Sequence, residues 1–199
     1  MHVVRAILVT GFLSIPFLGL RAFGQSSDWT PLLNSKKLSC TKAKPCRITE
    51  NKTHESFEMS FELREEPALN LRTITKIVFK NTKDNTTQAI ELDQVGRVKS
   101  EEPFQFFSMD LRKKGLADLA LLSANSPHHG PLYYYFMYDT ATSKFVLNGP
   151  DIPELKPVNA SHEFVSAVDS AIAYKIDDHQ KLNLMDPSSS GNRNPRSVQ

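Results

Sequence analysis

Residues 110–118, which read DLRKKGLAD, have the spacing of a calcium-binding loop. In such loops oxygen ligands occupy alternate positions from the first, and a glycine at position 6 permits a sharp bend. Asp110, Gly115 and Asp118 fall at positions 1, 6 and 9 of this pattern, but positions 3 and 5 hold Arg112 and Lys114. Because two cations cannot coordinate a third, we expect no cofactor and no bound metal here. Calcium is the one ion that the spacing would suit.

Two structures fit this degenerate loop. In the first, the backbone of a calcium loop is kept, and Arg112 or Lys114 places its charge where the ion would sit, between Asp110 and Asp118. Hydrogen bonds between an ionised arginine and a carboxylate are strong enough to hold such a turn without a metal. In the second, the segment is an ordinary hairpin turn with exposed charges.

A polar stretch at residues 123–131 contains the only adjacent pair of histidines. Adjacent histidines rarely bind one ion together, and no third ligand with useful spacing follows, so we predict no metal site. We interpret the stretch instead as a recognition loop displayed by two rigid strands. The predicted partner-binding residues are Ser123, Asn125, His128, His129 and Tyr133.

The chain carries no recognisable motif of an enzyme. It has no G-x-S-x-G, no histidine and acid pair spaced for a metal-binding helix, and no phosphate-binding glycine loop. A Ser-His-Asp triad leaves no such signature, but nothing in the sequence nominates one. We therefore predict a protein without enzymatic activity.

Short strands separated by turns must position these residues. Residues 56–63 alternate apolar and polar side chains, which is typical of a half-buried strand. We expect residues 96–103 and 148–157 to be irregular. A helix over residues 163–173 is the alternative to two strands at 164–168 and 171–176. One predicted strand begins at Phe106 and leads into the glycine turn. The other predicted strands are 56–63, 73–80, 88–93, 119–122, 132–138, 144–147, 164–168 and 171–176.

The strand at residues 132–138, LYYYFMY, is apolar on both of its faces. Such a strand must be covered on both sides, because an open surface of this kind would be unstable in water. Many short strands at this spacing predict an all-β fold, either a small β-propeller-like domain or a sandwich.

The N-terminus has the features of a secretory signal peptide at residues 1–24. Arg5 precedes an apolar run at residues 6–20, and small residues around Gly24 suit a signal peptidase. The alternative is a membrane anchor, but the run is shorter than the ~18 apolar residues that span a bilayer. We predict a secreted, periplasmic protein with an N-terminal arm at 25–55, an all-β domain at 56–180 and a disordered tail at 181–199.

Cys40 and Cys46 are the only cysteines. In an exported chain such a pair predicts a disulfide, and the five intervening residues make a redox-active pair the weaker alternative. The whole chain has 24 basic and 22 acidic residues, and removing Arg5 and Arg21 with the signal peptide leaves 22 of each. Zero net charge argues against nucleic acid as a partner, and we predict no membrane contact after cleavage.

The motifs Phe106-x-x-x-Asp110-(x)4-Gly115-x-x-Asp118-Leu and Tyr134-x-Phe-x-Tyr138-Asp resemble periplasmic proteins of the invertebrate-type lysozyme-inhibitor-like class. That class includes immunity proteins against the peptidoglycan-cleaving effectors of type IV secretion. The resemblance covers residues 104–176. It implies a small β-propeller-like fold and a loop that usually reads D-x-N-x-D-G-x-x-D and binds calcium, from which this chain departs at positions 3 and 5.

The resemblance implies an exported protein-binding domain that inhibits a lysozyme-like peptidoglycan hydrolase. The alternative hypothesis is a carbohydrate- or peptidoglycan-binding module that uses the tyrosine-rich strand. A hydrolase with an unrecognised catalytic cluster is the third.

Overall fold

A computed structural model describes residues 35–38, 40–41, 44–50, 52–99, 104–126, 130–158 and 162–186, without the side chains of 94–99 and 125. The predicted signal peptide, the arm before residue 35, His128, His129 and the tail after residue 186 lie outside these residues. No helix in the described ranges is long and apolar enough to cross a membrane.

Thirteen strands make up nearly all the regular structure of the described chain, with one 3₁₀ turn at Pro67–Leu69. They are β1 (Lys36–Leu38), β2 (Cys46–Thr49), β3 (Ser56–Glu66), β4 (Leu71–Asn81), β5 (Thr87–Lys99), β6 (Phe106–Met109), β7 (Asp118–Ser126), β8 (Gly130–Asp139), β9 (Lys144–Pro153), β10 (Leu155–Pro157), β11 (Glu163–Ser166), β12 (Ala173–Ile176) and β13 (Leu182–Leu184).

The strands form three antiparallel sheets whose neighbours follow chain order, apart from β1. The first sheet has the order β2-β3-β4-β5, the middle sheet β1-β6-β7-β8-β9, and the third sheet β10-β11-β12-β13. This arrangement confirms the predicted all-β fold. It arises because strands joined by short turns pair with their neighbours in sequence.

The middle sheet is covered on both faces, so the described residues contain two cores. One face packs against the first sheet, and Phe79 stacks on Phe145 with ring centroids 4.2 Å apart. This first core includes Phe57, Met59, Ile77 and Phe79 from the first sheet and Phe106, Leu119, Leu121 and Phe136 from the middle one. The second core joins Phe107, Tyr133, Tyr135, Met137 and Ile152 of the middle sheet to Leu155, Phe164 and Ile176 of the third. The result is a layered sandwich, the second of the two predicted forms.

The tyrosine-rich strand β8 is the centre of this sandwich. The six side chains from Tyr133 to Tyr138 are each at most 6% exposed, which confirms that both faces are covered. The buried Tyr135 hydroxyl has hydrogen-bond partners inside the core. It donates to Pro153 O and accepts from Leu155 N, both at 3.2 Å.

Several predicted boundaries need correction. The loop predicted at 123–131 is mostly strand, because β7 continues to Ser126 and β8 begins at Gly130. The segments expected to be irregular also join the sheets: β5 runs to Lys99, and β9 continues through Pro150 to Pro153. Proline is tolerated there because β9 is the edge strand of the middle sheet.

Both ends of the predicted domain also shift. β1 and β2, in the predicted arm, belong to the middle and first sheets, and β13 lies inside the predicted disordered tail. Residues 163–176 form β11 and β12 rather than the alternative helix.

Candidate functional site

Arg112 occupies the centre of the turn between β6 and β7, with its side chain only 4% exposed. Its guanidinium makes two parallel bonds to Asp118, from Nε to Oδ2 at 3.1 Å and from Nη2 to Oδ1 at 2.5 Å. Nη2 also donates to the backbone oxygen of Tyr138 at 2.7 Å, and Nη1 donates to Gln180 Oε1. One arginine therefore links the start of β7, the end of β8 and the turn after β12.

Asp118 is fully buried beneath this guanidinium. Its Oδ1 also accepts the backbone N–H of Tyr138 at 3.2 Å. Burial raises the pKa of the Asp118 carboxyl to about 6, because lost hydration outweighs the opposing effects of Arg112 and the Tyr138 N–H. The ion pair is thus shielded from solvent, where charged hydrogen bonds are least screened.

Asp110 has a different role from the one predicted. Its carboxylate accepts the backbone N–H groups of Lys114 at 2.9 Å and Gly115 at 2.7 Å, so it closes the turn. Gly115 has φ +73°, a conformation that side chains with a Cβ rarely adopt. Arg112 thus bonds Asp118, and no hydrogen bond joins it to Asp110 among the described contacts.

Lys114 points away from the buried pair. Its Nζ lies 2.7 Å from the Nε2 atom of His162, the residue before β11 of the third sheet. Of the two cations proposed to replace calcium, Arg112 is therefore the one whose charge lies inside the loop.

The first sheet meets the middle sheet at the same end. The Tyr138 hydroxyl donates to Glu55 Oε2, and Asn81 Nδ2 donates to Glu55 Oε1 at 3.4 Å. Burial, together with the Glu55 carboxylate, raises the pKa of Tyr138 to about 12. We call this end, defined by Arg112, Asp118, Tyr138 and Gln180, the locked end.

Ser123, Asn125 and Tyr133, the described members of the predicted partner-binding set, lie toward the opposite end of β7 and β8. Tyr133 is 1% exposed and packs in the second core, so it is not available for a partner. Ser123 is a strand residue whose Oγ lies 3.3 Å from Asp151 Oδ1, and Asn125 pairs with Pro131 in the ladder. Among the described residues, Ser126 and Gly130, where β7 ends and β8 begins, therefore remain as the candidate display element.

Val168 lies beside Gly130 and was not predicted. It is 53% exposed, and a Cβ added at Gly130 would lie 3.2 Å from its Cγ2. We call Ser126, Gly130 and Val168 the hairpin end. Sequence reasoning missed Val168 because it was expected inside a strand, whereas it follows the end of β11.

Cys40 and Cys46 form the predicted disulfide, with Cα atoms 5.1 Å apart. Both residues are buried in the first core, where Cys46 begins β2. Within the described ranges, no group of three or more His, Cys, Asp or Glu side chains is arranged to hold a metal ion.

We expect Asp118 to titrate near pH 6 in carbon-13 NMR spectra of the side-chain carboxyls. Asp177 is a control in the same spectra, because the N–H of Lys181 and the Asn183 side chain lower its pKa. Since the folded pKa of Asp118 exceeds the ordinary value of 3.8, its contribution to stability is full below that pH and is lost as pH rises through 6. A midpoint for Asp118 below that of Asp177 would contradict the burial argument.

Comparison of the chain with protein-family models, with curated proteins and with solved structures finds no match.

Proposed function

We propose that the protein is an exported binding domain that inhibits a lysozyme-like cell-wall hydrolase and has no catalysis of its own. The proposal starts from the resemblance of residues 104–176 to lysozyme-inhibitor-like proteins. A disulfide suits an oxidising compartment such as the periplasm, which supports export.

The position of the tyrosines is the observation that carries the proposal. Of the five tyrosines, Tyr133, Tyr134, Tyr135 and Tyr138 are buried in the middle sheet, and Tyr174 is half-buried. A sugar-binding module needs exposed rings on which a sugar can stack, and the tyrosine-rich strand offers none. This favours the inhibitor over the carbohydrate-binding alternative.

The long hairpin of β7 and β8 supports the same proposal. Its strands are fixed by packing on both faces, so the hairpin end is displayed on a rigid support. A preorganised element loses little conformational entropy on binding, which favours insertion into an enzyme cleft. Exposed Val168 adds apolar surface beside Gly130.

The proposal predicts that the purified mature protein slows peptidoglycan lysis by at least one lysozyme in a panel of different types. Val168→Glu should weaken inhibition by about tenfold or more, because it places a charge in the apolar part of the contact. Leu184→Glu is the matched control, since Leu184 is also exposed but lies in the edge strand of the third sheet.

If the protein inhibits none of the lysozymes tested, the inhibitor function is refuted. Equal loss of inhibition in both variants would show that the hairpin end is not the contact. Circular dichroism of both variants should show an unchanged fold.

A further inference from the structure

A groove of about 460 Å³ follows the edge of the middle sheet. Its walls come from four places: residues 88–90 of β5, residues 144–147 of β9, Asp139 and Thr142 at the turn between β8 and β9, and the turn between β12 and β13. The groove is distinct from the hairpin end, because it lies beside the start of β9 while Gly130 begins β8 at the other end of the sheet.

Two edge strands border this groove. β9 ends the middle sheet and β5 ends the first sheet. An edge strand presents backbone groups that another extended chain can pair with. Phe145 and Leu147 are two residues apart on β9, so their backbone groups point in the same direction.

Side chains already form hydrogen bonds with the backbone groups of β9 that an added strand would use. Gln88 Nε2 donates to Phe145 O at 2.7 Å, and Phe145 N donates to Gln88 Oε1 at 2.8 Å, so the Gln88 amide pairs as a peptide group would. Lys181 Nζ donates to Leu147 O at 2.7 Å. Each of these bonds comes from a side chain and not from a neighbouring strand, so the backbone of an added strand would compete for the same positions.

The charge of the groove favours an acidic occupant. Lys144, His179 and Lys181 line it and are exposed. Asp139, the one acid among the described residues that line it, is already bonded to Ala141 N at 3.0 Å and Thr142 Oγ1 at 2.7 Å. Electrostatic complementarity of this kind selects partners by the sign of their charge.

We propose that this groove binds an extended acidic segment of a partner protein, which adds as a strand to β9. The segment takes over the backbone bonds of Phe145 and Leu147 from Gln88 and Lys181. Its acidic side chains, at every second residue, pair with Lys144 and Lys181. This is the known strand-addition mode of peptide recognition, with backbone bonds giving affinity and side chains giving specificity.

The test uses two short, terminally blocked peptides, one alternating valine with glutamate and the other valine with lysine. Fluorescence anisotropy with the full chain should show the acidic peptide binding about tenfold or more tightly at low salt. Lys144→Glu/Lys181→Glu should reverse that preference. Gln88→Ala should tighten binding of the acidic peptide several-fold, because it removes the competing amide, and the backbone amide signals of Phe145 and Leu147 should shift on binding.

The proposal would be overturned if the two peptides bind equally well. It would also be overturned if the Gln88→Ala variant binds the acidic peptide no more tightly and the backbone amide signal of Phe145 does not shift. Val168→Glu should leave peptide binding unchanged. Loss of lysozyme inhibition and loss of peptide binding are therefore separate results, and either proposal can fail alone.

Discussion

Replacing Arg112 with methionine should lower the free energy of unfolding by about 3–5 kcal/mol, because it leaves the buried Asp118 carboxylate without its cation. Methionine fills much of the same space, so lost packing contributes little. Urea denaturation monitored by circular dichroism measures the change. Lys113→Met is the matched control in the same turn, and since Lys113 is exposed we expect a change within about 0.5 kcal/mol.

A double-mutant cycle separates the ion pair from the rest of the turn. Asp118→Asn keeps an acceptor for the Tyr138 N–H but removes the charge that Arg112 neutralises. Arg112→Met and Asp118→Asn together should therefore cost clearly less than the sum of the two single changes. Additive effects, or a loss below about 1 kcal/mol in Arg112→Met, would show that the pair does not hold the turn.

The second large effect concerns calcium. Arg112→Asn combined with Lys114→Asp gives the loop oxygen ligands at the two positions that now carry cations. Asp110, Gly115 and Asp118 already occupy the remaining positions of the pattern. Calorimetry of the double variant should detect calcium binding with a Kd of about 10⁻⁴ M, the affinity of extracellular calcium modules.

Lys114→Asp alone is the control for this conversion. It adds one ligand but leaves the Arg112 guanidinium on Asp118, so it should not bind calcium in the same range. If the double variant folds yet shows neither heat of binding nor a calcium-dependent rise in Tm, the turn does not have the backbone of a calcium loop.

The strands were largely predictable because their signals are local. The alternation in residues 56–63 and the apolar faces of residues 132–138 follow from burial on one side or on both. Several of the errors occur where a strand leaves the core. Ser123 and Pro150 carry polar or turn-forming signals, yet both lie in strands, because the ends and edges of a sheet need no apolar pattern.

The locked end was only partly predictable, for a related reason. The spacing of Arg112 and Asp118 within one turn made their contact foreseeable. Gln180 is 68 residues from Arg112 in the chain and carries no charge, so nothing local marks it as a partner. Asp110 was expected to share the cation, but it is the residue that bonds the N–H groups of Lys114 and Gly115.

Calcium titration of the unaltered protein tests the central claim that the Arg112 guanidinium does the structural work of a metal ion. Calorimetry and thermal unfolding, each run after treatment with a chelator, should show no binding and no change in Tm up to about 1 mM calcium. Binding tighter than about 10⁻⁴ M, with a matching rise in Tm, would show that the loop holds an ion that Arg112 has not replaced.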